Sequence, residues 1–255
     1  MKVYWLEQTE ADVPAENDWL SPNEAVCLNA LRFPKRRADW RLGRWTAKCA
    51  LSITLDAPAN PQVFKKIAIR PARSGAPEAF FGNQPAAVAI SLSHRDARAI
   101  CAVTRSGVDM GCDLEMVEPR SAAFVADYFS MEERALVARA SAPDRDRLLA
   151  MLWSAKESAL KALHAGLRLD TRSVIVDPCA TSCDLNGWSP LRVCYSGGRS
   201  TEFGSTADRV FHGWWQQSDN IVRTVAADPP PDPPIPLNIS AHFFDSASHW
   251  KPVAC

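Results

Sequence analysis

Residues 86–115, AAVAISLSHRDARAICAVTRSGVDMGCDLE, decide the fold class of this chain. Within them, 86–93 (AAVAISLS) and 98–104 (RAICAVT) are short apolar runs separated by the polar turn HRDA. Such a pair reads as an antiparallel hairpin. A third strand follows and holds Gly111-Cys112-Asp113-Leu114-Glu115. Hairpin-connected strands followed by a block of helices are the pattern of an α+β chain, not of alternating βαβ units.

Outward from this stretch the same mixture continues. Residues 3–6 read as a strand. Ser21-Pro22-Asn23-Glu24 is an N-cap with Pro at the first helical position and Glu at capping-box spacing, so a helix is expected to about Leu31. A basic segment with Pro34 leads into a second helix expected over Ala38 to Ile53. On the other side, helices are expected over 122–129, over 131–140 (capped by Ser130, with Glu133 three residues on) and over 144–163, the longest. Segments 173–177, 189–195, 209–216 and 221–226 read as strands. The pair 209–226 echoes 88–103, which suggests two similar halves, each a small sheet with a long helix. The divisions expected are 1–108, 109–227 and a Pro-rich tail, 228–255, that is flexible or docks late.

The chain has 255 residues, with 29 basic and 29 acidic side chains. The charges balance, so no global field draws it to nucleic acid or a membrane, and any basic site must be local. No run approaches the roughly 20 apolar residues of a membrane span, and MKVYWLEQTEADVP has no hydrophobic signal core. A cytoplasmic protein is expected. Of eight cysteines, Cys49, Cys101 and Cys112 lie in apolar segments and read as small core residues. Cys179 and Cys183 form a CxxxC with no second pair at zinc spacing nearby.

Asp113 and Glu115 are two apart on a strand and so share a face. Paired carboxylates suit a hard cation that keeps some water. A solvated strand edge explains them equally well, and Asp109 offers a rival register. Trp153-Ser154-Ala155-Lys156-Glu157-Ser158-Ala159-Leu160-Lys161 lies on the long helix, whose apolar stripe is Leu149, Leu152, Trp153, Leu160 and Leu163. Glu157 sits at the stripe's edge, one turn from Trp153 and one from Lys161. An ordinary i,i+4 pair with Lys161 is the bland alternative. Ser93-His94-Arg95 ends the first hairpin strand. Lys35, Arg36, Arg37, Arg41 and Arg44 cluster in a neutral chain and could hold phosphates, bind nucleic acid with Trp40 and Trp45, or form a solvated helix face.

In order, FPKRRADWRLGR, GAPEAF, SLSHR, GCDLE, YFSMEER and WSAKESALK resemble the 4′-phosphopantetheinyl transferase superfamily, in its long monomeric class that includes the surfactin-synthetase-activating enzymes. The resemblance spans residues 1–178 and, more weakly, to 226. The pairing of D-x-E with W-S-x-K-E-S-x-x-K is its specific part.

The resemblance implies two similar α+β halves about a pseudo-twofold axis, each a small, mostly antiparallel sheet packed on a long helix, with coenzyme A in the cleft between them. It implies Mg²⁺ (or Mn²⁺) held by Asp113, Glu115 and Glu157, and catalytic roles for Glu157 and Lys161. It implies coenzyme contacts from Lys35, Arg36, Arg41, Ser93, His94 and Lys156. Ala76 stands where many relatives have a lysine, and the first helix lacks the basic residues of some relatives; Lys35, Arg36 and Arg37 are the compensating candidates. The implied reaction moves the phosphopantetheine arm of coenzyme A to a serine of an apo acyl or peptidyl carrier protein and releases 3′,5′-ADP. The implied enzyme is a monomer without nucleic-acid or membrane partners. The rivals are a degenerate paralogue that binds coenzyme A without transfer, and a nucleic-acid module built on the basic cluster.

Overall fold

The computed structural model describes residues 1–179, 184, 187–197 and 208–239. Along the first half run β1 (Tyr4–Thr9), α1 (Pro22–Ala30), α2 (Pro34–Thr54), α3 (Pro61–Phe64), β2 (Ile67–Pro71), β3 (Pro77–Phe81), β4 (Gln84–Pro85), β5 (Val88–Arg95) and β6 (Arg98–Arg105). Then come β7 (Asp109–Met116), α4 (Ala122–Tyr128), α5 (Met131–Arg139), α6 (Ala142–Ala162), β8 (Val174–Pro178), β9 (Ser189–Tyr195), β10 (Arg209–Ser218), β11 (Ile221–Asp228) and β12 (Ile235–Pro236). Among the described residues three sheets form, in the orders β12-β1-β6-β5, β7-β11-β10-β9-β8 and β2-β3-β4. Every pairing among them is antiparallel except β1 with β12. The α+β class and the two-half plan expected from the sequence are what the chain adopts.

The deciding hairpin is β5–β6. Arg95 pairs with Arg98, and Asp96 and Ala97 turn the chain with φ of 49° and 57°. Two successive left-handed residues match the twist of the flanking strands. Helix α2 begins at Pro34, four residues before the expected Ala38. Proline is at home there because the first helical N–H has no partner in any case. Arg37 then closes the junction by donating to the carbonyls of Leu28, at the end of α1, and Leu31. The β2–β4 sheet is absent from the sequence reading. Its strands are short and broken by Pro71, Pro77 and Pro85, so no clean alternation marks them.

Each half has its own core. Leu28, Trp45, Leu51, Phe64, Ile69 and Ile90 gather around α2, and Leu152, Leu160, Val193, Phe211 and Val222 around α6. The halves repeat one device. Ser21 caps α1 and Ser130 caps α5, and in each case the capping-box glutamate, Glu24 or Glu133, is buried. Each glutamate faces a lysine of the following long helix. Lys48 and Lys156 lie at matching positions, 14 residues past the first residue of α2 and α6 (48 − 34 and 156 − 142), and both are 0 % exposed. Lys48 Nζ lies 2.7 Å from Glu24 and donates to the carbonyls of Phe64 and Ile67 at 2.7 and 2.6 Å. Lys156 Nζ lies 2.7 Å from Glu133 and donates to the carbonyls of Thr171 and Val174. Burial pushes both ammoniums below their usual pKa, and the paired glutamates oppose that.

A third core joins the halves: Val3, Ile100 and Ala102 from the first meet Met110, Leu114, Trp188 and Val225 from the second. Beside it, Arg223 of β11 forms a forked ion pair with Glu7 of β1. The proline-rich segment after β11 does not trail free. The N-terminal amine donates to the Pro230 carbonyl at 3.0 Å, and the amides of Ile235 and Leu237 donate to the carbonyls of Val3 and Trp5 at 2.9 and 2.8 Å. Prolines are tolerated on such an edge strand, where one row of N–H groups has no ladder partner. The remainder of the tail, 240–255, lies outside the described residues.

The anchors make a prediction. Glu133→Ala strands Lys156 as an unpaired buried cation and should cost about 3–5 kcal/mol, read as a lowered urea midpoint. Replacing both partners (Glu133→Leu with Lys156→Met) should recover most of that loss. A Glu133→Ala protein as stable as wild type would contradict the anchor.

Candidate active site

Strand β7 is the edge of the second sheet and runs beside β5, the edge of the first. The two are stitched by serines of β5. Ser91 Oγ accepts from the Cys112 amide at 2.9 Å, and Ser93 Oγ donates to Asp113 Oδ1 at 2.7 Å. Strand alternation puts Asp109, Gly111, Asp113 and Glu115 on one face of β7. Helix α6 lies on that face. A Cβ at position 111 would come 1.9 Å from the Ser158 carbonyl oxygen, so only glycine permits the contact. The helix is also pinned to β11 by buried hydroxyls: Thr224 Oγ1 lies 2.9 Å from Ser154 Oγ and 2.7 Å from Ser158 Oγ. Thr224 is in turn the cross-strand partner of Asp113.

This packing gathers Asp113, Glu115, Glu157 and Lys161. Asp113 is buried, at 4 % exposure. Lys161 Nζ donates to Asp113 Oδ1 at 2.8 Å and to the Cys112 carbonyl at 2.9 Å. Burial pulls the Lys161 ammonium down, but Asp113 and the other nearby acids outweigh it and leave its pKa raised. Glu115 Oε1 accepts from Trp153 Nε1 at 3.2 Å, and Oε2 from Arg120 Nη2 at 2.9 Å. Burial, then the Asp113 charge, push the Glu115 carboxyl up against the pull of Arg120 and Arg95. Glu157 is pushed furthest, to about 7, by burial first and then by Asp113, with Lys161 opposing and Glu115 adding. Trp153 is wedged against Phe124 and Tyr128 of α4 at ring separations of 5.1 Å, which fixes its N–H on Glu115.

Asp109, the rival register, is held away from this group by Arg209 at 2.8 Å. Lys156, expected at the coenzyme, does not join the site: its three donors are spent on Glu133, Thr171 and Val174 inside the core. Helix periodicity explains the divergence, since consecutive residues point about 100° apart. Arg41 donates to the carbonyls of Pro14 and Ala15 and ties that loop to α2. Lys35 and Arg36 are exposed at the start of α2. Arg44 lies over Trp40 at 5.0 Å and 4.0 Å from Glu24. His94 is exposed at the end of β5, on the face opposite Ser93 by alternation. Trp45 is 3 % exposed and packs edge-on against Trp19 and Phe64, so it offers no stacking platform for nucleic acid. Cys183 lies outside the described residues, so its pairing with Cys179 is not described. Arg120 and Ser91 are site residues that the sequence reading missed. Arg120 belongs to no motif, and Ser91 opens SLSHR without having been singled out; each is brought in by the approach of separate strands and turns.

Among the described residues, no three His, Cys, Asp or Glu side chains converge closely enough to hold a metal ion as placed. Glu115 is turned to Trp153 and Arg120. Two observations nevertheless fit a hard divalent cation. Asp113 Oδ2 is buried with no hydrogen-bond partner, which is costly for a charged oxygen. After burial, the Asp113 charge also pushes up the carboxyls of Glu115 and Glu157, as expected of charge left unneutralised.

The family model described as the 4′-phosphopantetheinyl transferase superfamily matches residues 109–201, the segment that contains β7, α6 and all three acids. That segment is similar to the superfamily its motifs suggested, and the match supports a transferase of the phosphopantetheinyl class. Such enzymes generally take coenzyme A as substrate and carrier proteins as partners. Comparison with curated proteins gives no match. Among the described residues no helix is long and apolar enough to cross a membrane.

The raised Glu157 carboxyl predicts a pH dependence. Its folded pKa, about 7, lies above the ordinary 4.5. Its protonated form is therefore favoured by folding, and its contribution to stability is full below pH 4.5 and is lost as pH rises to about 7. The melting temperature of wild type should fall relative to Glu157→Gln across that window. Added Mg²⁺ should raise the wild-type melting temperature at about pH 8 and much less at about pH 5, where the Glu157 carboxyl holds its proton. Parallel melting curves for the two proteins would argue against the shift.

Proposed function

We propose that this protein transfers the 4′-phosphopantetheine moiety of coenzyme A to a serine of an apo acyl or peptidyl carrier protein, releasing 3′,5′-ADP. One observation carries the proposal. Asp113, Glu115, Glu157 and Lys161 meet on the face where α6 crosses β7, beside Ser93 of the other half. The reaction displaces one phosphate oxygen by another at the β-phosphorus of a pyrophosphate, so it needs charge neutralised, a hydroxyl deprotonated and a leaving group stabilised. Asp113, Glu115 and Glu157 would hold Mg²⁺ (or Mn²⁺), which when bound supplies neutralisation of the pyrophosphate charge.

The chain's own residues supply the rest. Glu157, with its carboxyl near 7 in the metal-free protein, is matched to taking the serine proton directly or through a water. The P–O bond to 3′,5′-ADP breaks as the new phosphodiester forms, and Lys161 stabilises the departing phosphate. Asp113 orients Lys161 through their 2.8 Å contact. The nucleophile belongs to the carrier, so no activated Ser or Cys is needed on this chain. Ser93 and His94 at the end of β5, and Lys35, Arg36 and Arg41 on α2, are proposed to receive the phosphate-bearing end of coenzyme A; Arg41 would have to leave Pro14 and Ala15 to do so. Lys156 is proposed as an anchor of α6, not a ligand contact. A cytoplasmic monomer completes the proposal.

Glu157→Gln keeps shape but removes charge and basicity. It should lower kcat by about 10²-fold or more while coenzyme A binding, read by calorimetry, survives. Asp113→Ala should abolish transfer and Asp109→Ala should leave it nearly unchanged. The measurement is mass-spectrometric conversion of a panel of apo carriers in Mg²⁺. Near-normal kcat in Glu157→Gln would remove it from the chemistry, and no conversion of any carrier by wild type would overturn the proposal.

A further inference from the structure

The acid cluster carries its own counter-cations, and Arg120 is set where it competes with anything else that would use Glu115. Arg120 follows β7 by four residues (120 − 116) in the turn before α4. Its Nη2 donates to Glu115 Oε2 at 2.9 Å, and its Nη1 lies 3.2 Å from Glu118 Oε1. Its Cζ stands 5.2 Å from the centre of the Phe124 ring. The guanidinium is therefore held on two carboxylates and one aromatic face, at 16 % exposure. Arg95, from the other half, sits on the same pair, 2.6 Å from Glu118 and 3.8 Å from Glu115. With Trp153 on Oε1, both oxygens of Glu115 already serve protein donors.

The other two acids are treated differently. Asp113 keeps one buried oxygen with no partner. Glu157 makes no hydrogen bond through its carboxylate among the described residues. Asp113 and Glu157 are thus open, and Glu115 is closed by an arginine.

Resting on the divalent-ion reading above, we propose that Arg120 is a positioning residue that acts as a latch on the metal site, competing with the divalent cation for Glu115. A guanidinium and a dication on one carboxylate repel each other, and the partly buried setting strengthens that repulsion. Binding of the ion must therefore loosen Arg120 from Glu115, and the free energy of that contact is subtracted from the affinity for the ion. By linkage, whatever draws Arg120 away tightens the ion. A forked guanidinium released beside the cluster is suited to a phosphate or carboxylate oxygen pair, so an anionic ligand arriving at the site opens the latch. The contrary role, in which Arg120 holds Glu115 in place for the ion, predicts the opposite sign, so one measurement separates the two.

That measurement is Mn²⁺ binding to the coenzyme-free full chain, read from the free-ion electron paramagnetic resonance signal. It needs wild type, Arg120→Ala, Arg120→Gln and Asp113→Ala. Removing Arg120 should tighten Mn²⁺ binding about five- to tenfold, and Arg120→Gln, which keeps length and donors without charge, should move in the same direction. Should Arg120→Ala fail to fold, as judged by circular dichroism, Arg120→Gln alone decides. Unchanged or weaker binding in the folded variant overturns the latch. Wild type and the Arg120 variants all lacking Asp113-dependent Mn²⁺ binding would overturn the divalent-ion reading as well.

Discussion

The backbone of α6 rests on β7 at Gly111, and the geometry of the acid cluster follows from that contact. Side chains cannot intervene there, because the Ser158 carbonyl oxygen fills the place of a Cβ. The helix is brought low enough for Glu157 and Lys161 to face Asp113 and Glu115 on the strand beneath. Buried hydroxyls then fix its rotation. Ser154 and Ser158 meet Thr224, and Thr224 pairs across the ladder with Asp113. An alanine face alone would leave the helix free to turn a few degrees. Directional hydrogen bonds between fully buried groups do not.

Charge then becomes the controlling variable. Three carboxylates drawn together in a partly dry seam cannot all ionise without help. Lys161, Arg120 and Arg95 supply part of that help, and the residue is visible in a Glu157 carboxyl near 7 and in an Asp113 oxygen left without a partner. In the proposed function, that imbalance would make the cluster receptive to a divalent ion and to a proton. Both properties suit displacement at a pyrophosphate.

The two halves use one anchoring device for two ends. In each, a capping-box glutamate holds the buried lysine of the long helix, Glu24 with Lys48 and Glu133 with Lys156. In the first half this fixes α2, whose exposed end carries Lys35 and Arg36. In the second it fixes α6, and the very next residue after the anchor is Glu157. Breaking one pair leaves a buried ion uncompensated, so the repeat is better understood as specifying helix position than as adding stability.

The sequence by itself determined the α+β class, the β5–β6 hairpin, the capped starts of α1 and α5, and which acids sit on β7. All are local properties: alternation, capping spacing and turn polarity act within a few residues. It also carried the superfamily motifs, of which GCDLE, YFSMEER and WSAKESALK lie in the segment the family model matches. Lys156 and Glu157 show its limit. They are neighbours in one motif, yet one enters the core and the other the site, because a helix sends consecutive side chains in different directions and only packing decides which is buried. The β2–β4 sheet, the docking of residues 228–239 along β1, and the arrival of Arg120 and Ser91 at the acids were likewise decided by tertiary structure. Each depends on segments far apart in the chain or on a turn's exact path, and no periodicity records such a meeting.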